Sequence, residues 1–338
     1  MTISTQFGES FNNIESRIES YDLIENFISK NHPDFSKALD TESLVVKFLE
    51  QLKELTNLEF SFLLVHSGFI PEQYPADSSP ETLYSKLVEA LVLEFAVRMG
   101  YSKSYLPTQK SSMEDVTFID EQNTVIVCDS KSFRLGRSQG APNVKDVLKH
   151  ADIKKWMDNH PDKNPIGGLV TMPSQHDWEK GSDFYSYTSD KALPTMCLYY
   201  EHLAFLLINN YSSEELNQHF NNYDPVFPTK LKDKKNNRHG YYSALKSNLF
   251  KDNEDKWLAF NTIAQKVIQE KVFHCVDVLE KRIENTRLKI IAELEKVNDI
   301  EALRKMAIDA QFEHATENLK KQEARIYKFR DVSTGYYN

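Results

Sequence analysis

The residues best suited to chemistry are three charged side chains in the first half of the chain: Asp115, Asp129 and Lys131. Asp129 and Lys131 follow a short β-branched run at residues 124–128, which is typical of a buried strand. Because side chains alternate along a strand, Asp129 and Lys131 are expected to point to the same face. Two carboxylates can hold a hard divalent cation, most suitably Mg²⁺. A lysine beside them can stabilise charge on a phosphate or orient a water molecule.

A predicted hairpin brings Asp115 towards the other two residues. An apolar strand at residues 116–119 follows Asp115, and residues 120–123 supply polar turn chemistry. The second strand then runs back along the first, so Asp115 can lie beside Asp129. The alternative interpretation is a surface turn with an incidental salt bridge.

Asp115, Asp129 and Lys131 match the D…(D/E)-x-K pattern of the PD-(D/E)xK nucleases, with Ser130 at the x position. Glu114 stands where a proline often precedes the first aspartate. The D-x-K triplet alone occurs by chance in most chains of this length. Its position at the end of an apolar strand, after a hairpin headed by an aspartate, makes it more specific.

The helix before this hairpin is a candidate source of a further carboxylate. Residues 81–99 have a strong helical pattern, Pro80 suits the first turn and Gly100 suits a C-terminal cap. Glu89 interrupts its apolar middle, and in metal-dependent nucleases such a helix often contributes an acidic side chain to the site. The alternative is that Glu89 lies on a solvated face or pairs with Lys86, three residues earlier.

Length and composition limit the classes of protein to which this chain can belong. The 338 residues can form one large domain or two ordinary ones, and 40% hydrophobic content is enough for a core. No apolar run is long enough for a membrane span, and the N-terminus lacks the features of a signal peptide. Cys128, Cys197 and Cys275 are widely spaced in apolar contexts, which predicts reduced core thiols in a cytoplasmic protein.

The net charge of −9 argues against a protein held to nucleic acid by its overall charge, but a phosphate backbone responds to the local field. Between residues 230 and 246 six basic residues stand against Asp233 alone, an excess of 6 − 1 = 5. This segment is a candidate phosphate contact, or else a solvated linker. Its basic residues are Lys230, Lys232, Lys234, Lys235, Arg238 and Lys246.

A second candidate DNA contact is the segment that leaves the hairpin, residues 132–143, which contains Arg134 and Arg137 among small residues. The alternative interpretation is a plain surface loop. The ten histidines form no metal-ligand set, and no serine or cysteine nucleophile motif occurs.

The order of the remaining strands and helices predicts an α/β fold in which a mixed sheet is flanked by helices. Strands are expected at residues 166–172 and 195–200, and helices at 144–157 and 201–209. The first 66 residues are expected to be mainly helical. From residue 254 to about 329 the chain is expected to be nearly all helix, broken at Asn298-Asp299, and suited to dimerisation or to embracing a ligand.

Residues from about 63 to 210 resemble the HindIII-type restriction endonucleases, which are type II enzymes of the PD-(D/E)xK superfamily. The basic segment after Phe227-Pro228 is also similar. The residues that carry the resemblance are Ser67-Gly68, Ile70-Pro71-Glu72, Leu83-Tyr-Ser-Lys86, Asp115-Val116, Asp129-Ser-Lys-Ser-Phe-Arg-Leu135 with Arg137, Trp156, Glu201-His-Leu-Ala204 and Leu206-Leu207.

This resemblance implies a restriction-endonuclease-like α/β fold with a mixed central sheet, a helical N-terminal part and long C-terminal helices. It implies a homodimeric, Mg²⁺-dependent endonuclease that cuts a short palindromic DNA duplex and leaves a 5′-phosphate, with a companion methyltransferase expected by analogy. Asp115 and Asp129 would bind metal and Lys131 would assist the attacking water. Glu89 occupies the place of the family's helical acidic residue, where a glutamate replaces an aspartate.

Two other functions stay open: a nuclease of the same superfamily without strict sequence specificity, acting in repair or defence, and a non-catalytic DNA-binding protein. The predicted organisation has four parts. They are a helical N-terminal part at 1–79, a catalytic core at 80–226, a basic DNA-contacting segment at 227–253 and a helical C-terminal part at 254–338.

Overall fold

The structure of the protein is a computed structural model. It describes residues 7, 14–108, 113–135, 147–173, 188, 190–223, 238–250, 253–295 and 300–334. Its strands are β1 (Phe69–Ile70), β2 (Val116–Ile119), β3 (Thr124–Ser130), β4 (Phe133–Arg134), β5 (Asn164–Met172) and β6 (Thr195–Tyr199). Its helices are α1 (Ile14–Tyr21), α2 (Leu23–Asn31), α3 (Thr41–Lys53), α4 (Asn57–Ser67), α5 (Ser79–Arg98), α6 (His150–Asp158), α7 (Tyr200–Ile208), α8 (Ser213–Asn221), α9 (Arg238–Leu249), α10 (Glu254–Leu294) and α11 (Glu301–Thr334).

The central sheet has the strand order β2-β3-β5-β6. The hairpin strands β2 and β3 are antiparallel, and β3, β5 and β6 run parallel. The β-branched run of β3 is buried on both faces, as is usual for a strand with parallel neighbours. The mixed sheet and its flanking helices confirm the predicted fold class.

The hairpin turn confirms the role expected of residues 120–123. Asp120 Oδ1 accepts hydrogen bonds from the backbone N–H groups of Gln122 and Thr124, at 2.9 and 2.8 Å. Asn123 has a positive φ of 60°, a conformation that asparagine adopts more readily than most residues. These local preferences set the register in which Val116 lies opposite Cys128.

The helix α5 forms where the sequence predicts it, but it is buried on more than one face. Ser78 caps its N-terminus by accepting a hydrogen bond from the backbone N–H of Glu81, and Pro80 lies in its first turn. Helix α5 packs against β2 and β3 on one side and against α3 on another. This double packing explains why all residues from Leu87 to Ala96 are buried rather than a single stripe.

The N-terminal helices pack against the C-terminal helix α10. Arg17 forms an ion pair with Glu270 at 2.7 Å, and the buried Lys271 Nζ donates to the backbone carbonyl of Tyr21 at 2.6 Å. Helices α10 and α11 pack against each other, as expected for a helical hairpin. The division into four parts stays a prediction.

Several elements differ from the sequence-based expectations. Strands β1 and β4 pair in parallel. Neither strand was predicted, because a two-residue strand shows no periodicity in the sequence. Helices α8 and α9 are additional to the predicted ones. Helix α6 begins at His150, whereas it was predicted to begin at 144; residues 144–146 lie outside the described residues.

None of the helices in the described residues combines the length and apolar character that crossing a membrane requires. The three cysteines are free; Cys128 and Cys197 are buried and Cys275 is partly buried.

Candidate active site

The hairpin places Asp115 beside the end of β3. The backbone N–H of Asp115 donates to the carbonyl of Cys128 at 3.0 Å, which extends the β2–β3 pairing by one residue. Asp115 Oδ2 in turn accepts a hydrogen bond from the backbone N–H of Ser130 at 2.9 Å. The two aspartates are therefore held on adjacent strands by backbone hydrogen bonds.

Asp129 and Lys131 share a face of the strand end, as their spacing predicts. Lys131 Nζ lies 2.5 Å from Asp129 Oδ1. The Asp129 side chain is only 3% exposed, whereas that of Lys131 is 18% exposed. Burial raises the pKa of Asp129 to about 6; Lys131 opposes this rise, and the nearby charge of Asp115 adds to it.

Glu89 belongs to the same electrostatic cluster. Its carboxylate pairs with Lys86 Nζ at 2.5 Å, one turn earlier on α5. Burial raises the pKa of Glu89; Lys86 opposes the rise and Asp129 contributes to it. Burial and then the charge of Glu89 raise the pKa of Asp115. Glu89 thus forms the pair with Lys86 that the alternative interpretation named, and it also lies within electrostatic range of both aspartates.

These carboxylates suit a hard divalent cation that keeps part of its water shell. Asp129 Oδ2 is buried and has no hydrogen-bond partner, so it is an acceptor left available at the site. Within the described residues, no group of three or more histidine, cysteine, aspartate or glutamate side chains is placed to hold a metal ion. A pair of carboxylates such as those of Asp115 and Asp129 fits the way Mg²⁺ binds through one or two carboxylates with water and phosphate oxygens.

The residue that precedes Asp115 is also fixed by a buried pair. Glu114 Oε1 lies 2.7 Å from His160 Nε2 and accepts a hydrogen bond from Thr117 Oγ1 at 2.7 Å. Both paired side chains are almost completely buried, at 0% and 3% exposure. Glu114 therefore anchors the start of β2, at the position where the superfamily pattern often has a proline.

Some supporting residues carry no recognisable signal in the sequence. The carbonyl of Thr171 on β5 accepts the backbone N–H of Lys131 at 2.7 Å, and the hydroxyl of Tyr200 contacts both Ser130 and Lys131. Tyr200 is 69 residues from Lys131 along the chain, so only the fold reveals the contact.

Arg134 is engaged by acidic residues in this structure. Its guanidinium group donates to Glu81 Oε1 at 3.0 and 2.8 Å and lies 3.9 Å from Glu72. Its contact with DNA stays a prediction. Among the other basic candidates, Lys246 lies on α9, where burial lowers its pKa. Arg137, Lys230, Lys232, Lys234 and Lys235 lie outside the described residues, and Arg238 begins α9 with its side chain outside them.

We expect the Asp129→Asn variant to stabilise the metal-free protein at pH 8. Because the pKa of Asp129 is raised on folding, its ionised form destabilises the fold increasingly as pH rises from about 4 to above 6. The penalty at pH 8 is about 3 kcal/mol and should shrink towards zero near pH 4. Urea unfolding in the presence of a chelator, at several pH values, measures it.

The matched control is Asp158→Asn, since Asp158 forms an exposed ion pair with Lys154. Its effect should stay within about 0.5 kcal/mol at every pH. An Asp129→Asn variant that is less stable than the natural protein at pH 8 would contradict the electrostatic assignment.

Known restriction endonucleases are similar to this chain over most of its length. A model of the HindIII restriction endonuclease family matches residues 23–311. The type II restriction enzyme HindIII of Haemophilus influenzae is 27% identical over 299 residues, which cover 78% of this chain and 91% of that enzyme. The family model spans most of the chain and includes every residue of the candidate site. The chain therefore belongs to the HindIII restriction endonuclease family of type II enzymes.

Proposed function

We propose that this enzyme hydrolyses phosphodiester bonds in both strands of duplex DNA at a short palindromic site, with Mg²⁺ as cofactor, and leaves 5′-phosphate ends. The observation that carries the proposal is the grouping of Asp115, Asp129 and Lys131 at one strand end of a HindIII-family chain. Family membership supports the endonuclease activity.

Each side chain has a role that follows from its position. Asp115 and Asp129 would hold the cation on adjacent strands, with the unpaired Asp129 Oδ2 as a ready ligand. A bound Mg²⁺ would polarise the phosphate and lower the pKa of a water molecule. Lys131 is the more exposed member of its pair, so its ammonium can reach a phosphate oxygen or the attacking water while Asp129 holds it in place.

Glu89 and Lys86 would complete the charge balance of the site. The three carboxylates of Glu89, Asp115 and Asp129 face the two cations of Lys86 and Lys131. Excess negative charge repels DNA phosphates but attracts a divalent cation. A bound cation would therefore favour both the ionised carboxylates and the approach of the substrate.

Cleavage of both strands follows most simply from two copies of the chain. A two-fold axis between protomers matches the symmetry of a palindromic site, with each copy acting on one strand. The C-terminal helical region exposes Leu258, Leu288 and Ile300, apolar side chains that a second copy could cover. A methyltransferase that protects the same site is expected by analogy with restriction systems.

The function is tested by incubating the purified protein with long unmethylated duplex DNA, with Mg²⁺ or with EDTA, and sequencing the fragment ends. We expect discrete, Mg²⁺-dependent fragments whose ends share one palindrome and carry a 5′-phosphate. A smear would indicate the superfamily nuclease without sequence specificity. Intact DNA that still binds the protein would indicate the non-catalytic alternative.

We expect the Asp129→Ala and Lys131→Ala variants to lose cleavage, by at least about 10²-fold, because each removes a group that acts on the transition-state charge. Cleavage rates and gel-shift affinities, with Ca²⁺ in place of Mg²⁺ for binding, measure the two effects separately. Lys154→Ala is the control, since Lys154 is an exposed lysine that pairs with Asp158. Full activity in either site variant would remove this assignment.

The basic segment is tested by the salt dependence of DNA binding. Replacing Lys234 and Lys235 by glutamine should weaken binding to all sequences alike. It should also reduce the slope of log K against log salt by about 0.9 for each phosphate that the protein ceases to neutralise. The matched control replaces Lys320 and Lys321, which pair with Glu313 and Glu317 on α11. An unchanged slope in the first variant would assign these lysines to solvent.

A further inference from the structure

The hydroxyl group of Tyr200 contacts the two residues that follow Asp129. Tyr200 begins α7, directly after β6, and is 1% exposed. Its Oη donates to the backbone carbonyl of Lys131 at 2.8 Å and lies 3.1 Å from Ser130 Oγ. Because the single phenolic proton goes to the carbonyl, the Ser130 hydroxyl must be the donor in the second contact.

This contact completes the backbone hydrogen bonding of Lys131. Strand β3 ends at Ser130, so the carbonyl of Lys131 lies beyond the β3–β5 ladder. The backbone N–H of Lys131 donates to Thr171, and its carbonyl accepts from Tyr200. With both groups held, the backbone from which the Lys131 side chain projects is fixed, and its Nζ lies 2.5 Å from Asp129 Oδ1.

Gly68 provides the space that the Tyr200 ring needs. A Cβ atom at position 68 would lie 2.5 Å from Cε2 and 2.7 Å from Cδ2 of the Tyr200 ring, and 2.8 Å from Cβ of Pro173. The carbonyl of Gly68 also accepts the backbone N–H of Phe133 at 2.9 Å, at the start of the β1–β4 pairing. The chain on either side of Lys131 is thus tied to elements distant in sequence.

We infer that Tyr200 is a positioning residue for Lys131, with Gly68 as the residue that lets its ring lie against the strand end. The inference rests on the proposed function for its catalytic consequence, but not for the placement of Lys131. The ring alone fills the buried space; the hydroxyl group is what connects it to the Ser130 hydroxyl and to the backbone carbonyl of Lys131. Removing the hydroxyl and keeping the ring therefore isolates the positioning effect.

The test is Tyr200→Phe, with Tyr101→Phe as the matched control. Tyr101 is also a buried tyrosine, and its hydroxyl donates to Asn217 at 2.9 Å on α8. Both variants remove a buried tyrosine hydroxyl and should show a similar small fall in Tm. Only Tyr200→Phe should lower kcat, by about 10- to 100-fold, with KM for DNA little changed, because a small displacement of a catalytic group has effects of this size.

Two further variants sharpen the test. Ser130→Ala should have a smaller effect than Tyr200→Phe, and the double variant should be no worse than Tyr200→Phe alone, because the Ser130 hydroxyl acts through Tyr200. Gly68→Ala displaces the Tyr200 ring and should therefore also lower kcat. Unchanged kcat in Tyr200→Phe, or a change confined to KM, would overturn the inference.

A second readout does not depend on activity. Lysines are reductively methylated with ¹³C-formaldehyde and a borohydride reductant, and the Lys131 resonance is identified by its absence from the Lys131→Arg variant. We expect this resonance to move towards that of exposed lysines in Tyr200→Phe and to stay in place in Tyr101→Phe. If the natural protein cleaves no DNA, the proposed function is refuted, but the Lys131 resonance still tests the inference about Tyr200. A Lys131 resonance that does not move in Tyr200→Phe would refute that inference.

Discussion

The like charges of Asp115 and Asp129, held on adjacent strands in a largely buried environment, are the constraint around which the candidate site is built. Burial and neighbouring carboxylates raise the pKa of both groups, and Asp129 Oδ2 has no hydrogen-bond partner. An unsatisfied buried polar atom costs about 1–3 kcal/mol. The arrangement persists because the β2–β3 backbone hydrogen bonds and the buried sheet specify the strand positions. A cation bound here would relieve the repulsion.

The elements around this strand end supply compensating charge and rigid anchors. Lys131 lies beside Asp129, and Lys86 on α5 balances Glu89. The Glu114–His160 pair anchors the start of β2. The local balance of three carboxylates and two lysines governs the site far more than the overall charge of −9, because nearby charges in a partly buried site are weakly screened. The site is therefore organised by the sheet and by α5 together.

Local patterns predicted much of this fold. The turn residues at 120–123, the β-branched run of β3 and the helical repeats of α5 and α10 each determine their own conformation through neighbours in sequence. The pairing of β1 with β4 was not predictable, because it joins Phe69 and Phe133 across distant parts of the chain. Arg134 shows the same limit: the sequence places a cation near the site, and the fold pairs it with Glu81 and Glu72.

The sequence by itself determined the hairpin, the spacing that puts Asp129 and Lys131 on one face, and the family resemblance, since these depend on residue order and local geometry. Only the tertiary structure decided how the site is supported. Tyr200 reaches the backbone of Lys131 from the start of α7, and Gly68 makes room for its ring, because packing brings together residues with no relation in sequence. The burial that raises the pKa of Asp129 also arises only when helices and strands enclose it.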